Sequence, residues 1–226
     1  MTAQISIPTG AAKLDGTLTV PEKSKTLVFF VHGSGSSRHS PRNQFVAWTL
    51  NDAGLATLLF DLLTREEEAI DSYTAQLRFD IALLAERLLH ATNWAKKHAA
   101  TRELRIGYFG SSTGAAAALV GAAELRQTIV AVVSRGGRPD LAGNALSKVR
   151  APTLLIVGGK DETVIELNEQ ARREMRTEVK LEIIPGATHL FEEPGALARV
   201  ANLATAWFLR HSAQQHVPRE DRINQV

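Results

Sequence analysis

Short apolar runs alternate along this chain with longer stretches whose apolar residues recur every three or four positions, and that alternation limits the fold class more than any other feature. Strands are expected near 26–31, 55–60, 104–109, 128–133, 153–157 and 179–184, after two shorter β-rich segments at Gln4 to Pro8 and Thr17 to Val20. Leu27 to Val31, Leu55 to Phe60 and Thr153 to Val157 are apolar almost throughout, as strands covered on both faces must be. Between them the helical period appears. Ser40-Pro41 places a capping hydroxyl before a proline at the first helical position, so a helix should run from there to Ala53 and stop at Gly54. Leu77, Ile81, Leu84 and Leu88 mark one face of a long helix over 72–98. Val164, Leu167, Ala171 and Met175 mark another, and Leu197, Val200, Ala204 and Phe208 the last. The expectation is an α/β protein: a mostly parallel, eight-stranded sheet with helices on both faces.

One junction in this pattern carries chemistry. Gly110-Ser111-Ser112-Thr113-Gly114 lies directly after the strand-like Leu104 to Phe109 and directly before the run Ala115 to Ala118. A strand that turns into a helix within one residue crowds the positions two before and two after the turn, and glycine relieves the crowding there. The turn lifts the Ser112 hydroxyl clear of the sheet and leaves backbone N–H groups at a helix N-terminus facing the same space. Without a partner, a serine hydroxyl is a poor nucleophile at neutral pH.

Histidine and carboxylate candidates follow from position. Of seven histidines, His189 stands in a loop just after the last strand, on the carboxyl edge of the sheet where ligands bind in open α/β folds. Asp161 lies just past the strand Thr153 to Val157, and its neighbour Glu162 is less well placed to reach back. The order Ser112, Asp161, His189 is that of a serine nucleophile, an orienting acid and a general base on this class of sheet. His39, His90, His98, His211 and His216 fall in helical or tail segments and are expected at the surface; His32 is expected as a buried, hydrogen-bonded side chain, and Asp61 as a loop cap. The loop His32 to Ser37 is built of small residues whose backbone can approach a bound group closely. It lacks the lysine and spacing of a nucleotide-binding loop. The backbone N–H groups of Ser34 and Thr113 are the expected oxyanion donors. Arg135 and Arg138 follow the strand ending at Val133 on the same edge, with Arg38 and Arg65 in neighbouring loops; Arg135 and Arg138 are candidates to grip a carboxylate on the substrate.

Composition excludes several alternatives. The 226 residues carry 26 basic and 24 acidic side chains, a formal charge of +2, so nothing points to nucleic acid. Cysteine is absent, which removes disulfides, thiolate metal sites and a cysteine nucleophile; no metal and no cofactor are expected. No apolar stretch approaches the roughly 18–20 residues of a membrane span, and the first residues lack a signal-peptide pattern. A soluble, cytoplasmic protein acting on a small-molecule ester is the expectation. Residues 1–210 read as a single domain and 211–226 as a polar tail, and a homodimer through an edge strand or the tail is compatible with the sequence but not required by it.

These segments resemble the α/β-hydrolase superfamily, and within it the small, lidless dienelactone-hydrolase-like branch. The similar stretches are Val31 to Ser37, Phe60 to Thr64, Gly107 to Gly114, Ser134 to Asp140, Val157 to Asp161 and Gly186 to Phe191. The resemblance implies an α/β-hydrolase fold without a large lid and acyl transfer through Ser112, His189 and Asp161. Dienelactone hydrolases in the strict sense use a cysteine nucleophile, where this chain has serine. That departure shifts the expectation toward a serine carboxylesterase for short-chain esters, with a lactone hydrolase or an acyltransferase as the alternative, and a non-catalytic ligand-binding member as the alternative of another class.

Overall fold

At the edge of the sheet, β1 (Thr2–Thr9) and β2 (Ala12–Thr19) form an antiparallel hairpin in which Thr2 faces Thr19 and Thr9 faces Ala12. The computed structural model describes residues 1–10 and 12–214. β2 turns Leu14, Gly16 and Leu18 inward and runs antiparallel to β4 (Ala56–Phe60). From β4 onward every pairing is parallel, through β3 (Thr26–Val31), β5 (Arg105–Ser111), β6 (Ile129–Arg135), β7 (Thr153–Gly158) and β8 (Val179–Ile184), in the order β1-β2-β4-β3-β5-β6-β7-β8. The eight-stranded, mostly parallel sheet of an α/β-hydrolase fold is thus the architecture the alternation calls for.

Two cores cover its faces. Leu27, Phe29 and Val31 of β3 point to one side and Val28 and Phe30 to the other, as the two-residue period of a strand requires. Helices α3 (Ile81–Ala95), α4 (Thr113–Leu125) and α5 (Glu162–Glu174) cover the first side, while α1 (Pro41–Asp52) and α6 (Ala196–Gln214) cover the second. Ser40 caps α1 by accepting from Asn43 N–H, with Pro41 next to it. Trp207 and Phe208 of α6 are buried, and Phe208 packs so closely on β5 that a Cβ at Gly107 would come within 2.7 Å of its ring.

Three expectations need correction. The helix expected over 72–98 is really two helices. Thr64 and Glu67 form a capping box at the start of α2 (Arg65–Thr74), whose first turn also carries Glu66 and Glu68, and the helix ends at Ala75 with φ 54. A tight turn at Leu77–Phe79 follows, and Asp80 caps α3 by accepting from Leu83 N–H. The apolar period runs through this break because Leu77 falls in the turn, while Leu84 and Leu88 are the residues that reach the core. Next, α6 continues to Gln214, past the expected start of the tail at 211. His211 is buried, its ring 4.4 Å from that of Trp207, and so is not a surface histidine. Residues 215–226 of the expected tail, His216 included, lie outside the described residues.

α4 packs tightly on the sheet. Ala115, Ala116, Ala117 and Ala118 are all fully buried, and small side chains let the helix lie close on the sheet. A Cβ at Gly114 would stand 2.1 Å from the Val31 carbonyl oxygen and 2.4 Å from that of His32, both backbone atoms with no rotamer to yield. Gly114→Ala is therefore expected to cost several kcal/mol of stability, about 3 or more, or to prevent folding altogether; equilibrium urea denaturation followed by circular dichroism measures it.

Candidate active site

The turn between β5 and α4 places Ser112 at φ 50 and ψ −123, outside the ordinary range of a residue with a side chain. Crowding around it explains the glycines: a Cβ at Gly110 would lie 2.4 Å from Ala115 Cα, and one at Gly33 would lie 2.9 Å from Ser112 Cβ. Backbone hydrogen bonds fix the strained residue from both sides. Its N–H donates to Arg135 carbonyl at 3.3 Å, and its carbonyl accepts from Ala115 and Arg138 N–H, each at 3.1 Å.

Asp161 and His189 meet. The His189 Nδ1–H donates to Asp161 Oδ2 over 2.6 Å, between loops that follow β7 and β8. Backbone bonds from Gly159 to Ile184 and from Lys160 to Ala187 lace those loops together. The carboxylate side chain is 17% exposed and the imidazole 40%, so the acid is screened while the ring reaches solvent. Cε1 of that ring lies 3.4 Å from the point where a Cβ on Gly136 would stand, and Gly136 follows the residue whose carbonyl holds Ser112. All three expected residues therefore share the carboxyl edge of β5 to β8. Glu193 accepts from Thr188 N–H at 3.0 Å, hydrogen bonding from the Thr188 side chain and then from the Glu193 and Thr188 backbone holds its carboxyl below the usual range, and buried Phe191 takes φ 57. Glu162, the rival acid, is exposed on the first turn of α5.

On the opposite side of Ser112, Ser34 N–H donates to the hydroxyl oxygen of Thr113 at 3.0 Å. The two residues expected to supply oxyanion donors are thus neighbours, with one of the two donors occupied by the other's side chain. His32 is buried: Nδ1–H donates to Gly33 carbonyl at 2.9 Å, and Nε2 accepts from Leu62 N–H at 3.1 Å. Burial pushes its pKa below the ordinary 6.5, against the opposing pull of the Gly33 bond. Asp61 accepts from Arg38 N–H and pairs with its guanidinium, the capping role expected of it. A small recess lies beside this loop, closed in part by Glu68 and Asp71 of α2 and by Arg78.

The arginines divide sharply. Arg138, one of the two candidates to grip a substrate carboxylate, gives its Nε and Nη2 to Asp140 instead, at 2.9 and 2.7 Å. Arg38 is held by Asp61, and Arg65 stands 3.6 Å from Asp15. Arg135 differs: it is buried, and its Nε and Nη1 have no hydrogen-bond partner among the described residues. Burial, with the Arg42 charge nearby, lowers its pKa to about 10. Arg42 escaped notice in the sequence, although a cation in the first turn of α1, where acids are favoured, was a readable signal. Among the described residues no cluster of three or more metal-ligating side chains occurs, and no helix is long and apolar enough to cross a membrane.

Residues 14–211 match the model of the dienelactone hydrolase family. The chain belongs to that family. A dienelactone hydrolase structure from Anabaena variabilis is 58% identical, covers 93% of this chain and 97% of its own, and superposes with a TM-score of 0.92. Est1E from Butyrivibrio proteoclasticus is 20% identical, with a TM-score of 0.78 over 93% of this chain and 99% of its own, and shares the fold. Curated relatives from two Mycobacterium tuberculosis strains, each named "Putative phosphoribosyl transferase", are 55% identical over 208 residues, 92% of this chain. Those residues make up 46% of each relative, so the chain spans about half their length.

In this dienelactone hydrolase family member the His32 clamp sets an acid limit. The ring is neutral when folded, so below about pH 6.5 unfolding takes up a proton that the folded ring resists, and stability falls by up to about 1.4 kcal/mol per pH unit. Above that value the contribution is fully present. Urea denaturation at pH 7.5 and 5.5 is expected to show a smaller pH-dependent loss in His32→Asn than in the wild type.

Proposed function

We propose that this chain is a serine hydrolase that cleaves short-chain carboxylic esters through an acyl-enzyme. Ser112 Oγ attacks the carbonyl, His189 takes its proton and returns it to the leaving alcohol, and Asp161 holds the imidazole tautomer. Water then attacks the acyl-enzyme, with His189 again as base, and releases the acid. The observation that carries this reading is the His189–Asp161 hydrogen bond, formed by a solvent-reaching ring on the same sheet edge as a serine held at φ 50. The oxyanion is held by the N–H groups of Ser34 and Thr113, and a bound carbonyl takes the Ser34 donor from the Thr113 hydroxyl that now occupies it. No metal or cofactor enters the reaction.

A lactone is the second substrate form to consider, because the Anabaena protein is named a dienelactone hydrolase. Ring opening and ester cleavage use the same steps. The transferase named in the Mycobacterium relatives is not proposed for this chain, which corresponds to less than half of them.

Ser112→Ala is expected to lower kcat/KM on p-nitrophenyl acetate by at least about a thousandfold and to abolish labelling by a fluorophosphonate, read by mass spectrometry of the modified peptide. Activity within a few-fold of wild type would reject the nucleophile. Along a series of p-nitrophenyl esters, kcat/KM should peak at acyl groups of about two to four carbons and decline toward about twelve, since the described residues form no large lid to cover a long chain. A steady rise with length would contradict the short-chain assignment.

A further inference from the structure

The mechanism leaves one buried charge without a task. Arg135 ends β6, in register with Ser111 of β5, and register partners on neighbouring strands face the same side. Ser111 Oγ lies 3.4 Å from Asn43 Oδ1, which puts that side under α1. Arg42 precedes Asn43 on α1, and its charge acts on Arg135. Its Nε is also buried without a partner among the described residues, while its Nη1 lies 3.3 Å from Glu192 Oε1. Two guanidinium groups thus share one region, and the carboxylate that reaches one of them belongs to an exposed residue. Burying an unpaired guanidinium is costly, and a folded protein keeps such an arrangement where something else supplies the counter-charge.

We propose that Arg42 and Arg135 form an oxyanion-binding site beside the sheet edge that carries Ser112, and that its ligand is phosphate, free or as a phosphomonoester. Arg135 offers two unpartnered donors, Nε and Nη1, on different sides of its guanidinium, and Arg42 Nε offers another. A carboxylate has only two oxygens; a phosphate has enough for both, and its second negative charge balances the second guanidinium. The N-terminal turn of α1 adds a positive potential and carries no acidic side chain. Glu192 is the internal competitor: it stands three residues after His189 and is 65% exposed at its side chain, so it can yield Arg42 to an incoming anion.

Isothermal titration of the full chain with inorganic phosphate, at constant ionic strength and with acetate as the control anion, tests the site directly. Saturable binding of one phosphate per chain is expected, unaltered in Ser112→Ala, so its outcome is separate from that of the ester-hydrolase reading. Arg135→Met should weaken binding about tenfold or more, yet raise the melting temperature in phosphate-free buffer because a buried unpaired charge is gone. Glu192→Gln should tighten binding by removing the competitor, a gain that misfolding cannot imitate. Absence of saturable binding, equal binding of acetate, or an affinity untouched by Arg135→Met would overturn the proposal. Paired kinetics separates the two sources: a lower KM for a phosphomonoester-bearing ester than for its neutral counterpart, lost in Arg135→Met, assigns the phosphate to the substrate. Equal KM values alongside saturable phosphate binding assign it to the free ion.

Discussion

Helix α4 approaches the end of β3 until nothing larger than a hydrogen atom fits between them, and the sheet edge that carries Ser112, Asp161 and His189 is built outward from that contact. With Gly114 against the carbonyls of Val31 and His32, the helix must start where β5 ends, and Ser112 must turn through a left-handed conformation to join them. Such a conformation costs on the order of 1–3 kcal/mol for a residue with a Cβ. Its bonds to Arg135, Ala115 and Arg138 and the buried alanine run of α4 hold it in place. Both backbone bonds that reach from Ser112 to the strand and loop of β6 also fix the loop over which His189 packs, so one close approach orients two of the three side chains.

Asp161 shows a related compromise. It occupies the N-cap of α5, where a side chain normally accepts from the helix's own N–H groups, a bond worth about 1 kcal/mol. Here no such bond forms and the carboxylate reaches His189 instead. The helix still contributes, because its positive end lies behind the carboxylate. α5 gives up its cap, and the loop bonds from Lys160 and Gly159 supply the rigidity that the cap would have provided.

Much of this was legible in the sequence because the features are local. Each apolar run became a strand within a residue or two, and β1 and β2 merely extended further than their short signals. Ser112, Asp161 and His189 fall on one edge of the sheet because each follows the carboxyl end of a strand, and strand ends are the best-defined points in the chain. What escaped was set by contacts between segments distant in sequence. The Leu77 to Leu88 period reads as one helix because periodicity counts apolar positions and is blind to the turn at Leu77–Phe79; the Thr64 and Glu67 capping box was the available counter-signal. No local pattern separates Arg138, held by an aspartate two residues away, from Arg135, which meets none.

The difference between those two arginines also says where specificity resides. A guanidinium already saturated by Asp140 gains little from an arriving anion, since one carboxylate would only replace another. Arg135 has lost its water to burial and has gained no carboxylate among the described residues in return, so an anion that reaches it recovers a desolvation cost already incurred in folding. Folding thereby stores part of the binding energy before any ligand arrives. A neutral side chain at 135 would give a more stable sheet edge and forfeit that store, the usual exchange between stability and recognition at a functional edge.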